Sequence, residues 1–485
     1  MNASEFAREL ESRLNSQWAA PLLPLDLANL FRFTFHPGER QRALLYLLHR
    51  YLLRRTLQHA RSQTSYYSDD RYAVLPDSVA EDPPDLSRWP VIDRHDINKR
   101  FDDFIAQDVV FESACHTSGS TGASLQINKS REELAFLWSY YYEIMKPAFE
   151  GVASLPLSLF FPNFYHGVSI RMPSFGKVFV SGVTDDMLIQ DALKVLKRTY
   201  NIPGHDSRIS IISGLSFHLK FFTNYLLEQG YNPRNFGIRS ISIVGEYVSG
   251  LSKRFLIDAW DATVVERFTL TESVAGATRC LQCDHLHLDP LAIGEVVDPD
   301  TQKSIEDGLG YLVLTQLYPF VQMQPLIRYY TGDLVRKVES SCCNTLTFDF
   351  CGKTANCISW RVDGQTEWLL FSVDLFEVIN EIPDVRLYDT WPNVRVVKDT
   401  TVSSPPIFTQ ETRADPGRLG IVLTLELRYT PHFFRDRVEE LRNKIHTHLI
   451  RANSTLRQRL EEGSVCLDIR FVGPGSLMDS HKIKI

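Results

Sequence analysis

Four short stretches carry residue types that could do chemistry on a phosphate. The first is "HTSGSTG", residues 116–122, in which six of the seven residues are Gly, Ser or Thr. Glycines let a backbone come close and turn its N–H groups inward, and hydroxyls add donors. Thr117, Ser118, Gly119, Ser120, Thr121 and Gly122 would then cradle phosphate oxygens, although a solvated linker has the same composition. It is not a P-loop, because Gly122 is followed by Ala123 rather than lysine. The second stretch, "FTLTES", sets Thr271 and Glu272 just beyond the apolar run "ATVV". A hydroxyl and a carboxylate at a strand end suit Mg²⁺ and phosphate oxygens; the same pair could cap a helix. The third, "PLIRYYTGDLV", places Asp333 behind Gly332. A carboxylate there can accept both hydroxyls of a ribose, or simply close a turn. The fourth is the ending "GSLMDSHKIKI", with Lys482 and Lys484, either a pair of working ammonium groups or a solvated tail.

These stretches need a scaffold. Apolar residues at helical spacing through "RALLYLLHRYLLRRTLQHAR" predict that residues 1–68 are largely helical. From 105 to 335, short Val-, Ile- and Phe-rich runs such as "RISIISG" and "IRSISIVGE" alternate with helix-like segments such as "DMLIQDALKVLKRTY". That alternation predicts a layered α/β domain. Short β-runs without long helices between them predict an appended antiparallel piece over 286–350. Residues 398–417, "KDTTVSSPPIFTQETRADPG", read as a linker. A strand, a helix and a further strand after it predict a small α+β unit at the end of the chain.

Composition narrows the class. At 485 residues two or three domains are expected. The net charge of −7 argues against a nucleic-acid partner, which selects a basic surface. The first residues carry no apolar leader, and "ALLYLLHRYLLRR" is broken by His49 and Arg50, too short and polar to span a membrane. A cytoplasmic protein is expected, with its eight cysteines as thiols or metal ligands.

In this order, the segments resemble the motifs of the adenylate-forming superfamily (acyl-CoA synthetases, firefly luciferase and adenylation domains), most closely its phenylacetate–CoA ligase-like branch. "TSGSTG" resembles the family's phosphate loop, with Lys129 downstream. "FTLTES" resembles its Tyr-Gly-x-Thr-Glu motif, "IRYYTGDLV" its Arg-Tyr-x-Thr-Gly-Asp motif, and "VGE" at 244–246 the turn of its adenine pocket. The resemblance covers nearly the whole chain. It implies an α/β fold with a large multi-layer N-terminal domain, residues 1–352 (1–104 its helical part). A small mobile α+β lid, residues 353–485, would follow, with a hinge near Gly352 and Lys353.

The implied chemistry is ATP-dependent activation of an acid, expected to be aryl, to an acyl-adenylate, then transfer to coenzyme A. The alternative acceptor is an amine or a carrier-protein thiol. Residues 118–122 would hold the β- and γ-phosphates, Thr271 the α-phosphate, Glu272 the Mg²⁺ and Asp333 the ribose. Gly245 and Glu246 would line the adenine pocket. Lys482 would bridge the carboxylate and ATP oxygens, a task suited to a compact ammonium. Phe161, Phe164, Tyr165, Ser213, Gly214 and Tyr247 would line the acyl pocket. Three departures stand out: Phe268 and Thr269 replace Tyr-Gly, Tyr311 stands where a glutamate is common, and Lys353 replaces an arginine. The segment "CISWRVDGQTEWLL" lacks the run of coenzyme A-using members and its "DG" reads as a hairpin turn, so adenylation is better supported than the acceptor.

"CLQCDHLH", residues 280–287, gives Cys280, Cys283, His285 and His287, with Cys342 and Cys343 further on. Some relatives carry a structural zinc between these two regions. Cys280, Cys283, His287, Cys342 and Cys343 form the candidate Cys/His set, against a reading as ordinary thiols.

Overall fold

The computed structural model describes residues 5, 8, 30, 34, 38–69, 86–117, 124–134, 154–161, 177–183, 185–245, 247–385, 408–415 and 417–477. Helix α1 (Glu39–Gln63) buries Leu44, Leu48 and Tyr51, and likewise Leu53, Leu57 and Ala60, each set at steps of four and three residues, in one core cluster. Each such leucine contributes roughly 1.5–3 kcal/mol on burial. Its polar His49 is half-buried, and there Nε2–H donates to the Pro290 carbonyl at 2.9 Å. Short helix α2 (Arg94–Lys99) opens with a reciprocal capping box between Asp93 and Asp96.

Strands β1 (Phe111–His116) and β2 (Gln126–Ser130) form an antiparallel hairpin. Five strands then pair in parallel: β3 (Leu155–Phe161), β4 (Lys177–Val180), β5 (His205–Gly214), β6 (Ser240–Val244) and β7 (Thr263–Phe268). Between them run α3 (Asp186–Lys197), α4 (Ser216–Glu228) and α5 (Gly250–Trp260). Ile209, Ile212, Ile241 and Val264 are buried, as continuous β-branched runs are in a sheet covered on both faces.

Six antiparallel strands extend the same sheet: β8 (Ala277–Arg279), β9 (Leu286–Leu288), β10 (Ala292–Val297), β11 (Gly308–Gln316), β12 (Tyr329–Lys337) and β13 (Thr347–Lys353). The order is β10-β11-β12-β13-β9-β8-β7-β6-β5-β3-β4. The antiparallel region expected as an appendage is therefore continuous with the parallel half. Pairing of β7 with β8 joins the two.

After β13 the chain makes a hairpin, β14 (Ile358–Val362) and β15 (Gln365–Leu370), then α6 (Ser372–Asn380). The hairpin turn is Asp363-Gly364, with φ of 49° and 83°, the positive pair that a type I′ turn demands. Strands β16 (Phe408–Asp415), β17 (Arg418–Glu426) and β18 (Val465–Val472) form a three-stranded sheet. Helices α7 (Arg435–Ala452) and α8 (Ser454–Glu461) cross between the parallel pair β17 and β18. The linker expected over 398–417 thus contains a strand from 408. Leu369, Leu375, Ile379, Ile421, Ile445 and Leu456 share one core. The fold is a large sheet-rich N-terminal domain followed by a small C-terminal one. Leu334 and Cys351 pack with Trp368 and Phe371 where the two meet. Gly352 there has φ 130°, and a Cβ on it would overlap Ser372 Oγ. No helix among the described residues is long and apolar enough to cross a membrane.

Candidate active site

The parallel strands deliver their carboxyl ends to one edge. Phe161 ends β3 opposite Gly214 at the end of β5, Gly214 pairs with Ile243, and Val244 pairs with Arg267 near the end of β7. Open α/β sheets bind ligands at this edge. Gly245, immediately beyond β6, has φ 84°, and a Cβ there would sit 3.4 Å from Thr269 Oγ1. Its N–H donates to the Arg267 carbonyl at 3.2 Å. The two strand ends thus press together, and glycine is what the turn admits.

Thr271 and Glu272 lie in a turn after β7, not at a helix start. The Glu272 carboxylate is buried, 3.3 Å from Arg94 Nη2 and accepting from the Tyr329 hydroxyl at 3.0 Å. Its backbone carbonyl accepts from Gln316 Nε2. Burial and the neighbouring Glu272 charge push the Tyr329 phenol well above its ordinary range, so it stays a donor. Tyr329 opens β12, which the sheet separates from β7 by three strands. Two of these, β8 and β9, are only three residues each.

Asp333 lies within β12 rather than in a free turn. Pairing with β11 shifts between Tyr311 and Val313, so β12 bulges across Thr331–Asp333. Bulges re-aim side chains, and here Gly332 takes φ 78°. Asp333 is 0 % exposed and directly opposite Lys353 of β13. Lys353 Nζ lies 2.6 Å from Oδ1, and among the described residues Oδ2 has no hydrogen-bond donor. Burial raises its pKa and the Lys353 charge opposes the rise.

The described ends of the glycine-rich loop are tied together. Thr117 N–H donates to the Leu125 carbonyl at 2.9 Å, Leu125 N–H to Thr117 Oγ1 at 2.9 Å, and Ser124 Oγ to the Thr117 carbonyl at 2.7 Å. The loop joins two antiparallel strands. Ser118, Gly119, Ser120, Thr121, Gly122, Phe164, Tyr165, Glu246 and Lys482 lie outside the described residues.

The candidate acyl residues separate. Ser213 and Gly214 sit at the strand edge, where a Cβ on Gly214 would be 3.0 Å from the Phe161 carbonyl. Phe161 itself is 1 % exposed and packs on Phe222, ring centroids 5.1 Å apart, so its ring serves the core. The Tyr247 hydroxyl donates to Glu377 of α6. Arg94, Gln316 and Tyr329 were not among the sequence candidates. Tyr329 stands inside the "RYYTGD" stretch, where it could have been noticed; nothing near Arg94 or Gln316 signals the contact.

Cys280, Cys283 and Cys342 bring their sulfurs within 4.8 Å of one another. His287 Nε2 is 3.2 Å from Cys283 Sγ. His285 is engaged elsewhere, with Nδ1 2.8 Å from Asp349 Oδ1. Cys343 turns away from the cluster, is buried, and contacts Thr347 Oγ1 at 3.4 Å.

No protein-family model matches the chain, and no curated protein matches it. Solved structures do match. A 2-hydroxyisobutyryl-CoA ligase in the postadenylation state, with R3-HIB-AMP, superposes at TM-score 0.62 and 16% identity, over 94% of this chain and 90% of that one. The same ligase in an open conformation with 2-HIB-AMP and CoA gives TM-score 0.62 at 15% identity, covering 94% and 92%. The GH3.15 acyl acid amido synthetase gives 0.53 at 14%, covering 94% and 91%. The chain has the fold of the adenylate-forming enzymes.

Proposed function

We propose that the chain is an acyl-adenylate-forming ligase. A carboxylate oxygen attacks the α-phosphorus of ATP, the bond to the bridging oxygen breaks, and acyl-AMP and pyrophosphate result. One observation carries the reading: Asp333 is a fully buried carboxylate whose Oδ1 has the Lys353 ammonium 2.6 Å away and whose Oδ2 meets no hydrogen-bond donor among the described residues. Leaving a buried acceptor such as Oδ2 without a donor is costly, and the adjacent hydroxyls of a ribose are donors that suit it. Thr271, Gly245, Glu246 and residues 117–122 complete the nucleotide site in this reading, and Lys482 of the lid neutralises charge as the phosphorus is attacked. Glu272 offers a carboxylate to Mg²⁺, which would screen phosphate charge when bound. In the arrangement described, Arg94 already balances that carboxylate.

The lid begins near Gly352–Lys353, giving domains 1–352 and 353–485, and swings between half-reactions. Ser213 and Gly214 border a pocket for an aryl acid. The acyl group passes to coenzyme A, as the name of one structural neighbour suggests. An amine acceptor is the second reading, favoured by the tight Asp363-Gly364 hairpin and by the likeness to an amido synthetase. Cys280, Cys283, Cys342 and His287 hold a structural Zn²⁺ in this reading. Sulfurs at the corners of a tetrahedron of ~2.3 Å Zn–S bonds stand about 4 Å apart, which suits the cluster.

The test is pyrophosphate release from ATP over aryl, hydroxyaryl and alkyl acids, each alone, with coenzyme A, and with amino acids. Acid-dependent release establishes adenylation, and the acceptor that accelerates turnover identifies the second step. A chain that binds ATP but releases nothing with any acid would remove the proposal.

A further inference from the structure

The segment just beyond the Gly245 turn is held from the other domain. Glu377 of α6 accepts from the Tyr247 hydroxyl and from the Gly250 N–H, the latter at 3.0 Å to Oε1 and 3.3 Å to Oε2. One turn further on, Asn380 Nδ2 donates to Ser249 Oγ. The Phe376 ring stands edge-on to Tyr247, centroids 6.0 Å apart. Gly250 opens α5, where backbone N–H groups have no partner within the helix and the dipole favours an anion. Glu377 is that anion, and it belongs to the C-terminal core through Leu375, Val378 and Ile379 on its own helix. Burial, and next the Glu377 charge, push the Tyr247 phenol far above its ordinary range and keep it a neutral donor.

We propose that Glu377 is a positioning residue that couples the C-terminal domain to the nucleotide turn. With the domain in place, one carboxylate fixes Tyr247 and Gly250, and through them the backbone leaving Gly245. When the domain swings away, both donors lose their acceptor and the turn relaxes. Nucleotide affinity is therefore set by the position of a domain whose Glu377 does not touch the nucleotide. By linkage, bound nucleotide must favour the docked domain to the same degree. The identity of the ligand rests on the adenylation reading; the clamp itself does not.

The experiment compares full-length wild type, Glu377→Ala and Glu377→Gln. Amide hydrogen exchange over 245–252 and 372–381 is followed with and without AMP, and the KM for ATP is taken from pyrophosphate release. Glu377→Ala should speed exchange at Gly250 at least tenfold. It should raise the KM for ATP about tenfold with kcat changed less than threefold. AMP should no longer slow exchange over 372–381. Glu377→Gln, which keeps a neutral acceptor, should restore part of each. Unchanged exchange at Gly250 in Glu377→Ala overturns the clamp. Faster exchange with unchanged nucleotide affinity overturns the coupling and leaves a structural contact. A wild-type chain that binds no AMP or ATP removes the adenylation reading, and the exchange at Gly250 still decides for or against the clamp.

Discussion

Asp333 and Lys353 face each other across a directly opposed pair on neighbouring antiparallel strands, with Nζ 2.6 Å from Oδ1 and the carboxylate wholly enclosed. The lysine pays for the buried charge without closing its acceptor sites. A planar arginine fork would occupy both oxygens at once. A single ammonium compensates the charge and leaves room for two donors.

Asp333→Asn keeps the shape and removes the charge. The KM for ATP should rise roughly 10- to 100-fold, corresponding to about 1.5–3 kcal/mol for hydrogen bonds to a charged group. Circular dichroism should be unchanged. An unaltered KM would place the ribose elsewhere.

Metal content separates the cysteines. Wild type purified without chelator should carry about one zinc per chain by elemental analysis. Cys283→Ser should lose it, because that sulfur lies beside Cys280, Cys342 and His287. Cys343→Ser should keep it, because that thiol contacts Thr347 instead. Equal zinc in both variants, or none in wild type, would count against the site.

Acid should weaken the fold through His49. Burial pushes its pKa down to about 4, against about 6.5 for an unfolded chain. The unfolded state therefore binds a proton that the native state refuses. Stability is full above about pH 6.5 and declines as pH falls towards 4. Between pH 6.5 and 5 this histidine accounts for about 1.5 kcal/mol, and His218, also pushed down to about 4 by burial, adds a similar dependence. Urea unfolding of His49→Gln at the two pH values should show a visibly smaller difference than wild type.

The Arg267–Asp289 pair lies inside the sheet, 2.6 Å apart, with Asp289 also accepting from the Gly276 N–H at 2.8 Å. Asp289→Ala leaves a buried guanidinium without its charge partner. It should cost about 3–5 kcal/mol, read as a large fall in Tm or as insoluble protein. A shift of less than 2 °C would show that the pair contributes little.

Much of this was legible in the chain. "RISIISG" and "IRSISIVGE" became β5 and β6 because β-branched runs bounded by glycine fit a parallel sheet. "RVDGQT" became the hairpin turn because Asp-Gly tolerates positive φ at both places. Asp333 was legible as a carboxylate but not as a strand residue, since a bulge depends on its partner strand. The merging of 286–350 with the parallel half was hidden for the same reason: β13 inserts between β12 and β9, and pairing across such distances leaves no local mark. Arg94 reaches Glu272 from 178 positions away in sequence, and an arginine in a charged helix looks like a surface residue. Phe161 shows the converse, an aromatic that composition allowed as pocket lining and packing against Phe222 assigns to the core.

The strand order carries a consequence for how the chain is made. Lys353, the partner of Asp333, is the last residue of the last strand to join the large sheet, and that strand slots between two others already synthesised. A ribosome that has released the parallel half has therefore produced Gly245, Thr271 and Glu272 with no enclosed carboxylate to pair with them. Long-range insertion of this kind is slow. Newly made chains should stay blind to nucleotide at least until residue 353 has emerged and docked, and should reach full affinity only after Glu377 has followed.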